Sequence, residues 1–444
     1  MLLFAAIVFT VARPQYAIVL LLLLYPMEQV MQANIPQLGA APWLINVIVG
    51  LLVLFGSFRA LIGAYSPFTG YLNPVMGATA ALYAVTFVGV LLGPDVAGAF
   101  DKLRSASPYL ALLLIFPTLL VTRLEDWRRI IVPTLAGGSA VLVLMLLSPR
   151  TVFAGARLII DLEDVVGGAG NPLATAQLGG LIAIFGVLYK SERGGQVLLL
   201  IRIAAIGLGL SIAALSGSRG QLIASIAASL ICFPLARQVR NPVQFVGTVV
   251  SSFVFLAVGY AVLGRVLSGR AGERWGAEAL QDGVDSRLYF ATEALMAWAQ
   301  NPAAWPLGTG TFSSGALIAA LEDTYIHNSV VQVIAENGVI GFTLFATAMW
   351  LTYRAGMRLV SLYSNNPGLR SAAACLIAMC IYEFLLSLKQ GDFVATGAPF
   401  WTFLIVGKLA AAEQAFGHHE IEHWDYEDDG YTEADEPHHN DSGA

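Results

Sequence analysis

Continuous apolar runs of near membrane-spanning length recur along almost the whole chain. They lie near 15–31, 43–61, 73–93, 107–122, 129–147, 173–189, 198–215, 220–236, 243–264, 327–353, 369–388 and 393–413. Most approach the roughly 20 residues that a helix needs to cross the hydrocarbon of a bilayer. The runs are unbroken rather than alternating, so they predict helices and not the strands of a barrel. The expectation is an all-α, polytopic transmembrane helix bundle of about twelve spans, or thirteen if the short run ahead of Arg13-Pro14-Gln15 also crosses. No basic start precedes that first run, so it does not read as a cleaved signal peptide.

Composition agrees. Hydrophobic residues make up 57% of the chain and charged residues 12%, against roughly 25% charged in soluble domains. Cys232, Cys375 and Cys380 all fall in apolar runs and read as small core residues. The net charge of −6 hides a division. From His418 onward there are ten acids and no Lys or Arg, while the rest carries 24 bases against 20 acids, a net of +4. Residues 1–413 thus form the membrane domain, and 414–444 an acidic, His-containing tail expected to be disordered. Nothing points to a nucleic-acid partner.

Loop Lys and Arg orient the bundle. Arg123/Arg128/Arg129, Lys190/Arg193, Arg237/Arg240 and Arg354/Arg358/Arg370 mark one set of alternate loops, placed in the cytoplasm with the tail. The opposite face then holds the loop 265–326, the one segment outside the membrane long enough for structure of its own. Within it, Asp285 and Ser286 can cap a helix with Leu288, Ala291, Leu295 and Trp298 on one side. That helix is expected to lie flat at the interface, with Trp298 and Trp305 at headgroup level. Asn301-Pro302 should stop it, and Gly308-Thr309-Gly310 should make a tight turn.

The outer face nevertheless carries Arg150, Arg157, Arg219, Arg265, Arg270, Arg274 and Arg287. Long loops escape the charge rule, but Arg219 sits in Ser216-Gly217-Ser218-Arg219-Gly220, a turn of a few residues between two spans. Backbone amides at the start of the next helix favour an anion there, and a guanidinium adds a fork suited to phosphate. Snorkelling to headgroup phosphates is the plainer alternative. Asp161, Glu163 and Asp164 lie near Arg150 and Arg157 and are read as charge partners. No DxD or paired-carboxylate motif is present to hold a divalent metal.

Of six histidines, His327 alone lies outside the tail. With Asn328 it stands at the mouth of a long apolar helix whose strongly polar interruption is Glu336-Asn337, followed by Gly338 and Gly341. Glu336 follows His327 by nine residues, which on a straight helix is the opposite face and about 13 Å along. Direct pairing is therefore excluded on that geometry, and Glu336 is expected to cap or bond neighbouring helices, with Gly338 and Gly341 allowing close approach.

Taken in order, the Ser216–Gly220 turn, Arg287, Pro306-Leu-Gly308-Thr-Gly310 and His327-Asn328…Glu336-Asn-Gly338-Val-Ile-Gly341 resemble the O-antigen ligase and O-antigen polymerase superfamily over about 205–345. The resemblance implies a multi-pass glycosyltransferase of the bacterial inner membrane, of the GT-C type, acting in lipopolysaccharide or other surface-polysaccharide biosynthesis. It implies a glycan donor linked to undecaprenyl diphosphate, used at the periplasmic face with no metal, cofactor or nucleotide sugar. The acceptor would be lipid A-core, a second lipid-linked glycan, or a protein hydroxyl. Arg219 and Arg287 would bind the diphosphate, with Arg265 and Arg270 in the right loop to join them. His327 would act at the acceptor hydroxyl, with Asn328 and Glu336 supporting it.

Two other classes share the hydropathy. A solute transporter would need charged or broken-helix sites near the midplane, whereas the polar groups here gather at one face. A non-catalytic scaffold leaves the arginine turn and His327 unexplained.

Overall fold

The computed structural model describes residues 10–62, 66–155, 157–166, 168–191, 195–237, 243, 246–247, 250, 277–318, 326–389, 392, 394 and 399–428. Its long helices in chain order are α1 (Tyr16–Asn34), α2 (Trp43–Leu61), α3 (Pro74–Gly89), α4 (Val96–Leu114), α5 (Leu124–Leu147) and α6 (Pro172–Leu188). There follow α7 (Gln196–Leu215), α8 (Arg219–Arg237), α9 (Ala277–Ala299), α10 (Ser329–Leu362), α11 (Pro367–Ser387) and α12 (Phe400–Asp428). Among the described residues seven of these, α1, α2, α5, α7, α8, α10 and α11, are long and apolar enough to cross a membrane. The bent pair Val96–Pro108 and Leu110–Leu120 makes up to eight. The expected spans near 73–93 and 173–189 correspond to the shorter apolar helices α3 and α6. The run 243–264 lies mostly outside the described residues.

Several helices open on an Asn that caps and a Pro that enters. Asn73, Asn171 and Asn366 accept from Met76 N, Leu173 N and Leu369 N at 2.9–3.0 Å, each just ahead of a proline. Proline in the first turn gives up an amide that has no partner within the helix anyway.

Helix direction alternates, and this sorts the polar residues. The ends of α1, α3, α5, α7 and α11 lie with the starts of α6, α8 and α10, and Ser148 Oγ donates to Asn34 Oδ1 at 3.2 Å across that rim. At the other end the basic side chains close helix C-termini. Arg202 and Arg237 both donate to Val187 O at 3.4 and 3.2 Å, and Arg370 Nε donates to Leu235 O. Buried Lys408 donates to Thr118 O and Val121 O, and Glu413 accepts from Leu124 N and Tyr363 Oη. These bonds satisfy terminal carbonyls and amides that lipid could not. Between the two ends Phe400 of α12 meets Phe345 of α10 and Tyr83 of α3, with ring centroids 5.8 and 5.5 Å apart. The three cysteines are buried and free.

Two local features depart from the expectation. A small antiparallel sheet follows α5, made of β1 (Thr151–Ala154), β2 (Arg157–Leu162) and β3 (Gly168–Ala169), in that order. Asp161 there accepts from Glu163 N at 3.0 Å. And α12 runs on through Gln414 to Asp428. No Pro or Gly interrupts 418–428, so a helix already nucleated inside the bundle can propagate into polar sequence. Residues 429–444 lie outside the described residues.

Candidate functional site

His327 is the last residue but one before α10. Asn328 takes an extended conformation and its Oδ1 accepts from Val330 N and Val331 N at 3.1 and 3.2 Å, which caps the helix. Ile326 beside it is buried, and His327 itself is half-buried. Burial, and secondarily the positive charge of Arg287, hold the imidazole below the ordinary histidine range. Arg287 is exposed on α9, near enough to be felt at His327.

α10 is not one straight rod. It breaks at Gly338, where φ is +65° and ψ −163°. The loop after α9 fills the break. Thr309 N and Gly310 N donate to Ala335 O and Glu336 O at 2.8 and 3.2 Å, while Val339 N and Ile340 N donate to Trp305 O and Pro306 O at 2.9 and 3.1 Å. Backbone groups orphaned by the kink are thus satisfied by the loop rather than by water. The Glu336 side chain secures the same loop, accepting from Phe312 N (3.1 Å), Ser314 Oγ (2.8 Å) and, from one turn earlier, Gln332 Nε2 (3.2 Å). Thr311 ties the loop to α3, with its N donating to Gly89 O and its Oγ1 to Thr86 O. Ala294, Thr309, Ser314, Ile326 and Glu336 line a small cavity between α9, the loop and α10.

A second set of bonds carries the site to the arginine turn. Ser329 Oγ donates to Ser387 O at 3.0 Å, joining the start of α10 to the end of α11. Two residues on, Lys389 Nζ donates to Gln221 Oε1 at 2.8 Å, joining that end to the first turn of α8. Gln332 Nε2 reaches Asp392 Oδ1 at 3.1 Å. Arg219 is half-buried at the head of α8, after Gly217 with φ +64° and buried Ser216 and Ser218.

The structure therefore brings Arg219, Arg287, His327 and Asn328 to one end of the bundle. Arg265, Arg270 and Arg274 lie outside the described residues. Two readings of α9 need correcting. Asp285 and Ser286 do not cap it; they lie inside a helix that runs from Ala277 to Ala299. The packed face is Phe290, Ala294 and Trp298, against Ile326, Val331 and Ala335, while Leu288 is exposed. The reason is the broken α10, which offers a hollow that the small Ala294 enters. Trp298 Nε1 donates to Ala304 O at 3.1 Å and Trp305 Nε1 to Ala299 O at 3.0 Å, so both rings fasten the helix end to the turn after Asn301.

Glu336 is buried and bonds the loop rather than a neighbouring long helix, because the break at Gly338 admits the loop there, and His327 precedes the helix rather than belonging to it. Sequence reading missed Gln221, Gln332 and Asp392. Gln332 carried a signal, being four residues before Glu336 on the same helix face. Among the described residues no group of three or more His, Cys, Asp or Glu side chains is arranged to hold a metal ion.

In chemical terms this end offers guanidinium groups, a helix N-terminus and an imidazole, the means to hold an anion and accept a proton beside it. Residues 204–346 match the family described as O-antigen ligase. The matched stretch runs from within α7 to within α10, so it contains the Arg219 turn, α9, the inserted loop, His327 and the break at Gly338. No curated protein matches the chain.

Proposed function

We infer that this member of the O-antigen ligase superfamily, a multi-pass membrane protein built for glycosyl transfer of the ligase or polymerase type, takes its glycan from undecaprenyl diphosphate in the bacterial inner membrane. The acceptor is a hydroxyl presented at the periplasmic face, on lipid A-core or on a second lipid-linked glycan. The observation that carries the reading is the gathering of Arg219, Arg287 and His327, from three separate segments, at the end of the bundle opposite the basic loops. A lipid diphosphate whose reactive carbon sits at the interface requires that arrangement.

The chemistry follows from the residues. The acceptor oxygen attacks C1 of the donor sugar as the C1–O bond to phosphate breaks, and that electron pair leaves with the diphosphate. Arg219 and Arg287 stabilise the charge that grows on the leaving group. The acceptor proton passes to His327, which is neutral near pH 7 because burial and Arg287 disfavour its charged form. One displacement of this kind inverts the configuration at C1 and needs no enzyme nucleophile.

Purified protein in lipid, given undecaprenyl-diphosphate glycan and a candidate acceptor with EDTA present, tests the reading. Transfer is expected, with Arg219→Lys already damaging because an ammonium keeps the charge but loses the planar fork. Absence of transfer to every acceptor class, from protein that is folded, would reject it. A phosphatase fusion near residue 300 should be active and one at the C-terminus inactive; the reverse would place the site on the wrong side of the membrane.

A further inference from the structure

We propose that Lys389 is a further donor-binding residue, a point charge that works beside Arg219 on the phosphate groups of the lipid; this rests on the donor reading given above. Lys389 follows α11 by two residues, and its amide turns back to Leu386 O at 2.9 Å. That turn sends the side chain across to α8. A Cβ on Gly220 would overlap Lys389 Cδ and lie 2.9 Å from Nζ and 3.0 Å from Cε, so the stem lies flat over the first turn of α8 at the one residue without a side chain. Its ammonium is fixed there by Gln221 Oε1 at 2.8 Å, and Gln221 is fully buried.

The position also concentrates positive charge. A helix N-terminus is the positive end of the helix dipole and disfavours cations. Yet α8 begins with Arg219 and has Lys389 laid over its next residue. The cap position adds a second sign. Ser218 Oγ is buried at the head of the helix and has no hydrogen-bond partner among the described residues, although a serine there ordinarily accepts from a first-turn amide. Two cations, a helix N-terminus and an unused hydroxyl together describe a phosphate site. A flexible ammonium adds charge without bidentate geometry, so it favours a diphosphate over a monophosphate on the same lipid.

The test measures binding of undecaprenyl diphosphate and undecaprenyl phosphate to the full chain in nanodiscs of neutral phosphatidylcholine. Lys389→Gln is expected to weaken the diphosphate about 10- to 100-fold, the range for losing a bond to a charged group, and the monophosphate less. Gly220→Ala displaces only the far end of a flexible side chain, so it should keep the fold and weaken the diphosphate in the same way. The double variant should be no weaker than either single, and Lys389→Arg should recover part of the affinity. An unfolding temperature lowered by Lys389→Gln with diphosphate affinity unchanged would assign Lys389 to structure and overturn the proposal. If phosphatidylglycerol displaced the diphosphate from wild-type protein, Lys389 would be a headgroup contact and the proposal would equally fall. Loss of binding in Arg219→Ala but not in Lys389→Gln or Gly220→Ala would sink this inference alone. Wild-type protein that bound neither lipid would remove the donor reading and the inference with it.

Discussion

Gly308 and Gly338 interlock, and neither has room for a Cβ. On Gly338 it would stand 2.5 Å from Gly308 N and 2.6 Å from Pro306 O; on Gly308 it would overlap the Glu336 carbonyl. Both residues take positive φ, +80° and +65°. This contact seats the loop in the break of α10 and so sets where His327, eleven residues before Gly338, meets the arginines.

Gly338→Ala should therefore fail twice, on backbone conformation and on overlap with backbone that cannot give way. The expected loss is about 3 kcal/mol or more of stability. Thermal unfolding in detergent checks it. A normal unfolding temperature would mean that the loop does not occupy the break.

Glu336→Gln should act mainly through stability. The carboxylate accepts from an amide N–H, a hydroxyl and a side-chain amide, and a glutamine offers one acceptor oxygen where three donors converge. A loss of about 1–3 kcal/mol is expected. Hydrogen exchange of residues 305–314 should rise, while transfer per folded molecule changes little. Loss of transfer with stability intact would move Glu336 into the chemistry.

The acid limb of the transfer rate should report His327. Its pKa is lowered, first by burial and then by Arg287, so the neutral base persists at pH values below the usual histidine range and is lost only as pH falls through the lowered value. Arg287→Ala removes the second cause and leaves the first. Under saturating donor its acid limb should move to higher pH, by less in high salt because Arg287 is exposed. A limb that stayed in place, or moved to lower pH, would detach it from this imidazole.

Much of this was legible in the chain. Apolar runs located most of the described helices, alternating Lys and Arg separated the two ends, and His327-Asn328 marked the mouth of a long helix. The inserted loop was not legible. Its bonds are backbone amides and carbonyls some 30 residues apart in sequence, and backbone groups leave no trace in residue type beyond the glycines at 308, 310 and 338. The packed face of α9 was not legible for a different reason: Phe290, Ala294 and Trp298 follow the shape of a broken partner helix rather than the strongest local hydrophobic spacing. The approach of Lys389 to Gly220 was not legible either, since it joins residues far apart in sequence on two different helices' ends.

The transfer chemistry turns on His327 taking the acceptor's proton, and this separates binding from turnover. His327→Ala should bind undecaprenyl-diphosphate glycan with nearly wild-type affinity, while single-turnover transfer falls roughly 10²- to 10⁴-fold, the usual range for losing a general base. Transfer at the wild-type rate by folded His327→Ala protein would contradict the account.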